Sequence, residues 1–291
     1  FGHSAQFVMA CFSSGSACLS GSCMSNGEDA TPGEAFDKMD AKQCAKCGGG
    51  MPFSIRTLGG SDLCETCFRS NIYGKFRIAV TTHSMITPSD DVLIALSGGH
   101  SSRVLLQFVH ELQQRKQENF DACKDRALPV FGASAVFVDE RAVHPGCYEK
   151  FDEAIKVMSS TVEHLFPATI RFFVVPIESV YPNDVVDRKQ KLVDLLGALE
   201  DETGKEDLLH HLRMLALQKA AVENGCSRII LGTCTSTLAR HVLSATVKGK
   251  GYSLSSDIHY VNAKFDIPVA LPLRDCTAHE LKLICTLDGA A

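Results

Sequence analysis

The chain has 291 residues, of which 45% are hydrophobic and 22% charged, and its formal net charge is −5. This composition is ordinary for a globular protein, and the length allows one large or two modest domains. The acidic balance excludes an inference of nucleic-acid binding from bulk charge, so such binding would need a local basic face. No apolar run approaches the roughly 18 residues of a membrane helix, and no secretory signal opens the sequence. We therefore expect a cytoplasmic protein with no membrane partner.

Residues 1–42 are rich in Ser, Gly and Cys and end in an acidic piece, a composition that predicts a disordered tail. Cys11, Cys18 and Cys23 lie within it at irregular spacings. These cysteines either belong to a tail without function or bind a metal ion. The irregular spacing favours the first interpretation.

Four of the 13 cysteines form two C-x-x-C pairs, Cys44/Cys47 and Cys64/Cys67, with residues 48–63 between them. Each pair can aim two thiolates at one tetrahedral ion, and the odd cysteine count argues against a disulfide framework. We predict a zinc ribbon over residues 43–72, with zinc in a structural role. Four free cysteines spaced by chance and a redox role for one pair are the alternatives.

Residues 68–80, directly after the second cysteine pair, mix basic and aromatic side chains, and residues 73–89 are predicted to connect the ribbon to the next domain. The basic and aromatic segment could contact RNA phosphates and stack on bases, or it could be a connecting helix that packs its aromatic residues on the next domain. The residues in question are Arg69, Lys75 and Arg77 among Phe68, Tyr73 and Phe76.

A strand, a glycine turn and a helix start are predicted at the head of the remaining chain, residues 90–291. Asp91 to Leu96 is an apolar run of strand length, and helical spacing begins at Arg103. Between them, Ser97, Gly98, Gly99, His100, Ser101 and Ser102 form a turn that can bind an anion through free backbone N–H groups. No Gly-Lys-Ser/Thr follows, so this is not a Walker loop. An ordinary turn with a serine cap is the alternative.

Alternating strands and helices in the rest of the chain predict a mostly parallel sheet with helices on both faces. Loops at the carboxyl edge of such a sheet converge on a ligand. Further strands are expected at Pro129–Glu140, Ile170–Ile177, Arg228–Gly232 and Ile267–Leu273, and helices at Glu149–Phe166, Leu208–Glu223, Ser236–Val247 and Thr277–Leu287. Glu280, three residues after Thr277, predicts a capping box at the start of the last helix.

Three further segments fall outside this alternation. Arg115–Arg126 is expected to be a charged surface segment. Glu178–Asp207 is predicted to be an insertion with one short helix near Leu192–Leu199. Lys248 and Lys250 lie in a flexible basic loop, which either contacts RNA or is merely solvated.

The glycine turn resembles the PP-loop of ATP pyrophosphatases, whose pattern is Ser-Gly-Gly-x-Asp-Ser after a buried strand. Ser97, Gly98, Gly99 and Ser102 match this pattern. His100 stands where tRNA sulfurtransferases of the group usually have Lys, and Ser101 stands at the Asp position. ATP binding is therefore possible, but the loop is degenerate.

The ribbon, the turn, the strand ending Val138-Asp139-Glu140 and the block Ile230–Ser236 together resemble the cytosolic tRNA 2-thiolation family. The likeness is to its non-catalytic subunit in a plant-like form, and it implies a C-terminally truncated chain. It also implies a heterodimer with a catalytic PP-loop paralogue that adenylates wobble uridine of tRNA. A ubiquitin-related modifier would supply the sulfur.

Two departures from active thiolases support the non-catalytic assignment. Glu206–Arg213 occupies the place of a cysteine pair but contains no cysteine, and Gly232–Thr237 replaces an acidic motif without any carboxylate. Cys234 lies in that loop, where a buried structural cysteine is the favoured interpretation. We expect no catalytic residue, nucleotide contacts at Ser97, Gly98, Gly99, Ser101 and Ser102, and tRNA contacts at Arg69, Lys75, Arg77, Lys248 and Lys250. An active adenylating sulfurtransferase or ligase is the alternative, and a zinc-ribbon DNA-binding protein lacks support in the net charge.

Overall fold

The computed structural model describes residues 43–50, 55–56, 60–122, 129–144, 146, 148–165, 170–182 and 186–288. The predicted tail with its three cysteines lies outside these residues. The chain divides near residue 71 into a small N-terminal unit and a larger unit that starts at Ile72.

The small unit contains a short antiparallel hairpin, in which strand β1 (Ile55–Arg56) pairs with β2 (Asp62–Leu63). An isolated bridge between Gln43 and Gly50 closes the turn that carries the first cysteine pair. Helix α1 (Glu65–Thr82) begins directly after Cys64. Few large apolar side chains are buried among the described residues of this unit, so its apolar core is small.

The larger unit is built on a six-stranded sheet in the order β5-β4-β3-β6-β8-β7. All neighbours are parallel except β7 and β8, which pair antiparallel at one edge. The strands are β3 (Asp91–Leu96), β4 (Gly132–Asp139), β5 (Arg171–Pro176), β6 (Arg228–Leu231), β7 (Val261–Asn262) and β8 (Val269–Ala270).

Helices connect these strands, as the alternating pattern predicted. They are α2 (His100–Ala122), α3 (Tyr148–Glu163), α4 (Arg188–Gly197), α5 (Glu202–Glu223), α6 (Thr235–Val247), α7 (Leu254–Asp257) and α8 (Ala278–Leu287), with a 3-10 turn at Ile177–Val180. The predicted α/β class with a mostly parallel sheet is confirmed.

Strand β3 occupies the centre because its side chains are apolar on both faces, and Val92, Leu93 and Ile94 are fully buried. On one face, Met214 and Leu217 of α5 join Leu93 in a buried cluster. Strands β4 and β6 flank β3, so the chain order reverses there. The crevice at the carboxyl ends of β3 and β6 is where such sheets bind ligands.

Three element boundaries differ from the expectations. Helix α2 continues to Ala122 through a stretch expected to be a charged surface segment, because Arg115 pairs with Glu111 at 2.6 Å and Gln117 with Asp121 at 3.0 Å, one turn apart. Helix α5 begins inside the expected insertion, where the Asp201 carboxylate accepts bonds from two backbone N–H groups. Strand β7 was not predicted because no apolar run of strand length marks it, unlike the run that contains β8.

No helix within the described ranges has both the length and the apolar content that spanning a bilayer requires.

Candidate functional site

The four cysteine sulfurs of the small unit come together as predicted. The Sγ atoms of Cys44, Cys47, Cys64 and Cys67 all lie within 4.8 Å of one another. Sequence spacing alone brought these residues to attention, because a hairpin between two C-x-x-C pairs returns the second pair to the first.

The spacing of the sulfurs matches a single tetrahedral ion. Cys47 Sγ and Cys64 Sγ are 3.8 Å apart, and a tetrahedral ion with bonds of about 2.3 Å holds its sulfurs roughly 3.8 Å apart. The backbone N–H of Cys64 points at Cys44 Sγ at 3.4 Å. Backbone hydrogen bonds from Cys64 and Cys47 lower the pKa of the Cys44 thiol to about 6, whereas the hydrogen bond with Cys64 raises the pKa of the Cys67 thiol to about 12. Without an ion, the negative charge of the cluster is thus concentrated on Cys44, and binding a metal would require the other thiols to lose their protons.

In the larger unit, the predicted glycine turn leads from β3 into α2. Gly98 has a φ of 76°, a left-handed conformation that glycine adopts without strain. The Ser102 hydroxyl donates to the Gly99 carbonyl at 2.9 Å and accepts from the Ser97 backbone N–H at 3.3 Å. Ser102 is therefore used to hold the turn together.

Gly232, after β6, lies directly against this turn. A Cβ at this position would come within 2.9 Å of the Ser102 backbone nitrogen and 3.0 Å of the Ser101 carbonyl oxygen. The two loops at the reversal of strand order are thus in backbone contact. The cavity of about 10 Å³ that adjoins the turn, lined in part by Gly98, Ser102 and Met158, has room for no more than one water.

Acidic groups reach the same edge from β4, but arginines neutralise both of them. Asp139 accepts a hydrogen bond from Arg141 Nε at 2.6 Å. Glu140, which is 5% exposed, accepts two bonds from the Arg213 guanidinium, and His144 approaches it to 3.8 Å. Burial alone would raise the pKa of Glu140, but the bonds from Arg213 and His144 lower it below its ordinary value.

Arg141 and Arg213 were not identified from the sequence as partners of these acids. Arg141 follows Asp139 by two residues and could have been noticed. Arg213 lies far along the chain, and no local pattern connects it with Glu140.

The cysteines near the edge are buried. Cys234 is 1% exposed and its Sγ lies 3.4 Å from Thr237 Oγ1, consistent with the favoured structural interpretation. Burial raises the pKa of the neighbouring Cys276 thiol to about 12, so it stays protonated and a poor nucleophile at neutral pH.

The predicted RNA-binding residues have different surroundings. Lys75 donates to Glu280 at 2.8 Å, and Lys248 and Lys250 both donate to Asp207, at 2.7 and 2.6 Å. Arg77 is exposed on α1, and among the described residues its guanidinium has no ion-pair partner. Arg69 lies on the part of α1 that belongs to the small unit.

Comparison with known proteins gives a consistent set of relatives. A protein of Arabidopsis thaliana named cytoplasmic tRNA 2-thiolation protein 2 is 50% identical over 97% of this chain and 62% of its own length. A protein of the same name from Oryza sativa subsp. indica is 46% identical over 86% of this chain and 53% of its own length. The chain therefore spans about half to three fifths of these relatives.

Among solved structures, the U34-tRNA thiolase NcsA from Methanococcus maripaludis, with its [4Fe-4S] cluster, aligns with a TM-score of 0.61 at 18% identity. The alignment covers 85% of this chain and 73% of that one. It supports the PP-loop fold. No protein-family model matches the chain.

Proposed function

Since the chain is a homologue of the plant proteins named cytoplasmic tRNA 2-thiolation protein 2, we propose that it is a subunit of a cytosolic tRNA thiolation complex. In this role it is required for 2-thiolation of the wobble uridine but does not perform the chemistry. A catalytic PP-loop paralogue, bound as a heterodimer, adenylates the uridine and transfers sulfur from a ubiquitin-related modifier.

One observation carries the non-catalytic assignment: Asp139 and Glu140, the carboxylates at the end of β4, are already paired with arginines. An adenylating site needs free carboxylates for Mg²⁺ and an activated sulfur carrier. The cysteines near this edge are buried, and the turn has Ser101 where the pattern has an acid. Among the carboxylates of Asp139 and Glu140 and the buried cysteines at this edge, no group is thus both reactive and free.

The alternative function is an active ATP-dependent PP-loop sulfurtransferase or ligase. Two features favour it: Gly98 keeps the left-handed turn, and the first turn of α2 keeps its N–H groups at the end of β3. ATP could still bind there without being cleaved, and binding alone would not make the chain an enzyme.

An ATP–pyrophosphate exchange assay separates the two functions. The chain alone, with tRNA and Mg²⁺, is expected to exchange no more label than a matched variant with Gly98→Ala, which strains the turn. A mixture with the catalytic paralogue serves as the positive control. Robust exchange by the chain alone that Gly98→Ala abolishes would overturn the non-catalytic assignment.

The cysteine cluster is proposed to hold one structural zinc ion. Four thiolates within 4.8 Å of one another suit a single tetrahedral ion. A [4Fe-4S] cluster binds each thiolate to a different iron and spreads the sulfurs further apart. Metal analysis of protein purified without chelators should find one zinc per chain. Iron with visible absorption from an iron–sulfur cluster, or no metal at all, would contradict this assignment.

Contact with tRNA is proposed at Arg69, Lys75, Arg77, Lys248 and Lys250. Replacing Lys75, Arg77, Lys248 and Lys250 together by Ala should weaken tRNA binding and flatten its salt dependence. Each phosphate contact releases counterions when it forms, so binding with fewer contacts releases fewer of them. Unchanged tRNA affinity and salt slope of this four-residue variant in the heterodimer would show that these residues do not contact tRNA.

Glu178–Asp207, which a compact α/β domain does not need, is a candidate contact segment for the catalytic paralogue.

A further inference from the structure

A groove of about 470 Å³ lies between helices α1 and α2 in the larger unit. Three cations and one carboxylate line it. The lining residues are Tyr73, Arg77, Leu112, Arg115, Lys116, Glu118 and Asn119. Among these, the sequence had singled out Tyr73 and Arg77.

The floor of the groove is held by an aromatic cluster. The ring of Tyr73 meets that of Phe108 edge-on with centroids 5.2 Å apart, and Phe76 lies 5.5 Å from Phe108. Phe76 and Phe108 are fully buried. Such packing fixes the two helices against each other, so the groove is formed before any ligand arrives.

The cations of the groove differ in whether they already interact with a carboxylate or an aromatic ring. The Arg115 guanidinium stacks on Tyr73 at 4.7 Å from the ring centroid and pairs with Glu111 at 2.6 Å. Arg77 and Lys116, on opposite walls, are exposed and form no ion pair with the described residues. Lys75, Lys248 and Lys250 would each have to leave a carboxylate before binding a phosphate.

We propose that this groove binds RNA backbone phosphate, with Arg77 and Lys116 as the direct contacts and Arg115 as a stacked, fixed cation. The inference rests on the proposed function, in which the RNA is tRNA, and it identifies the groove as the surface that contacts the tRNA backbone. Phosphate is the ligand class because Arg77 and Lys116, two cations without an ion-pair partner among the described residues, line the same polar groove. Asn119 on the rim adds an uncharged donor for a phosphate or sugar oxygen.

The test compares tRNA binding by the purified chain over a range of salt concentrations. Arg77→Ala with Lys116→Ala should lower the salt slope by about 2 and the affinity by roughly tenfold. Lys150→Ala with Lys156→Ala removes two exposed lysines of α3 and is the matched control, expected to leave both quantities unchanged. Glu118→Gln, which removes the one carboxylate of the lining, should raise the affinity.

The outcomes separate this inference from the proposed function. The groove proposal is wrong if the groove variant keeps the wild-type tRNA affinity and salt slope, or if the control variant loses as much affinity as the groove variant. Equal binding of a polyglutamate peptide that the same variant abolishes shows a site for anions in general and also overturns it. Loss of thiolation function is scored independently in cells, so a failed groove leaves the proposed function standing.

Discussion

A methyl group at position 232 would lie 2.9 Å from the Ser102 backbone nitrogen. Its nearest neighbours are backbone atoms, which cannot swing away as a flexible side chain could, so the clash would strain the two loops. We predict that Gly232→Ala lowers the free energy of unfolding by about 1–3 kcal/mol. Gly74→Ala is the matched control, since nothing lies within 4 Å of that Cβ. Gly74 is inside α1, so this change should stabilise by about 0.5–1 kcal/mol. Urea denaturation measures both, and equal stability of the two variants would contradict the close approach.

The Glu140–Arg213 pair makes a pH-dependent contribution. Because the pKa of Glu140 is lower in the folded chain than in the unfolded one, the pair stabilises the fold above the unfolded value of about 4.3, and this is lost as pH falls further. Glu140→Gln should cost about 1–3 kcal/mol at pH 7, and this cost should shrink as pH falls below the unfolded value. Glu153→Gln, an exposed position on α3, is the control. A cost that does not depend on pH would refute the charged pair.

Helix α8 begins with a capping box in which Thr277 and Glu280 exchange bonds, as the sequence predicted. The structure adds that Lys75, on α1, donates to the second oxygen of Glu280. Lys75→Ala leaves a buried carboxylate with fewer partners and should destabilise the fold by about 1.5–3 kcal/mol. Lys282→Ala on the exposed side of α8 should change stability little. If thermal unfolding shows equal losses, the Lys75 contact is not the cause.

How far the elements could be predicted depended on whether the signal was local. Strand β3 is bounded as expected because an apolar run meets a glycine turn, and Thr277 with Glu280 marked the start of α8. Helix α2 is longer than expected because its second half is stabilised by an ion pair and an amide–carboxylate hydrogen bond between side chains one turn apart, not by apolar spacing.

In the candidate sites too, residues with a local sequence signal could be predicted and those without one could not. The repeated C-x-x-C spacing predicted that the sulfurs of Cys44, Cys47, Cys64 and Cys67 would lie together. The arginine that neutralises Glu140 could not, because α5 and β4 are brought together only by the folded sheet. The groove between α1 and α2 likewise depends on aromatic packing between distant segments.

At the scale of the whole molecule, we expect the two compact units to draw stability from different sources. The small unit buries few apolar side chains among its described residues, so the proposed ion should supply much of its stability, whereas the larger unit has a six-stranded sheet. After metal removal by a chelator, amides of residues 60–64 should lose protection from hydrogen exchange. Amides of β3 and β4 should keep theirs, and readdition of zinc should restore the first set. Uniform loss across both units would contradict separate sources of stability.

We propose that the chain supports tRNA thiolation without catalysing it. The most direct test measures the 2-thiouridine content of tRNA in cells that lack the protein and are complemented with its variants. A variant with His100, Ser101 and Ser102 all changed to Ala is predicted to restore thiolation, because the turn supplies shape and not chemistry. If this variant folds and pairs with the catalytic paralogue but restores no 2-thiouridine, the turn has a direct nucleotide or catalytic role and the account is wrong.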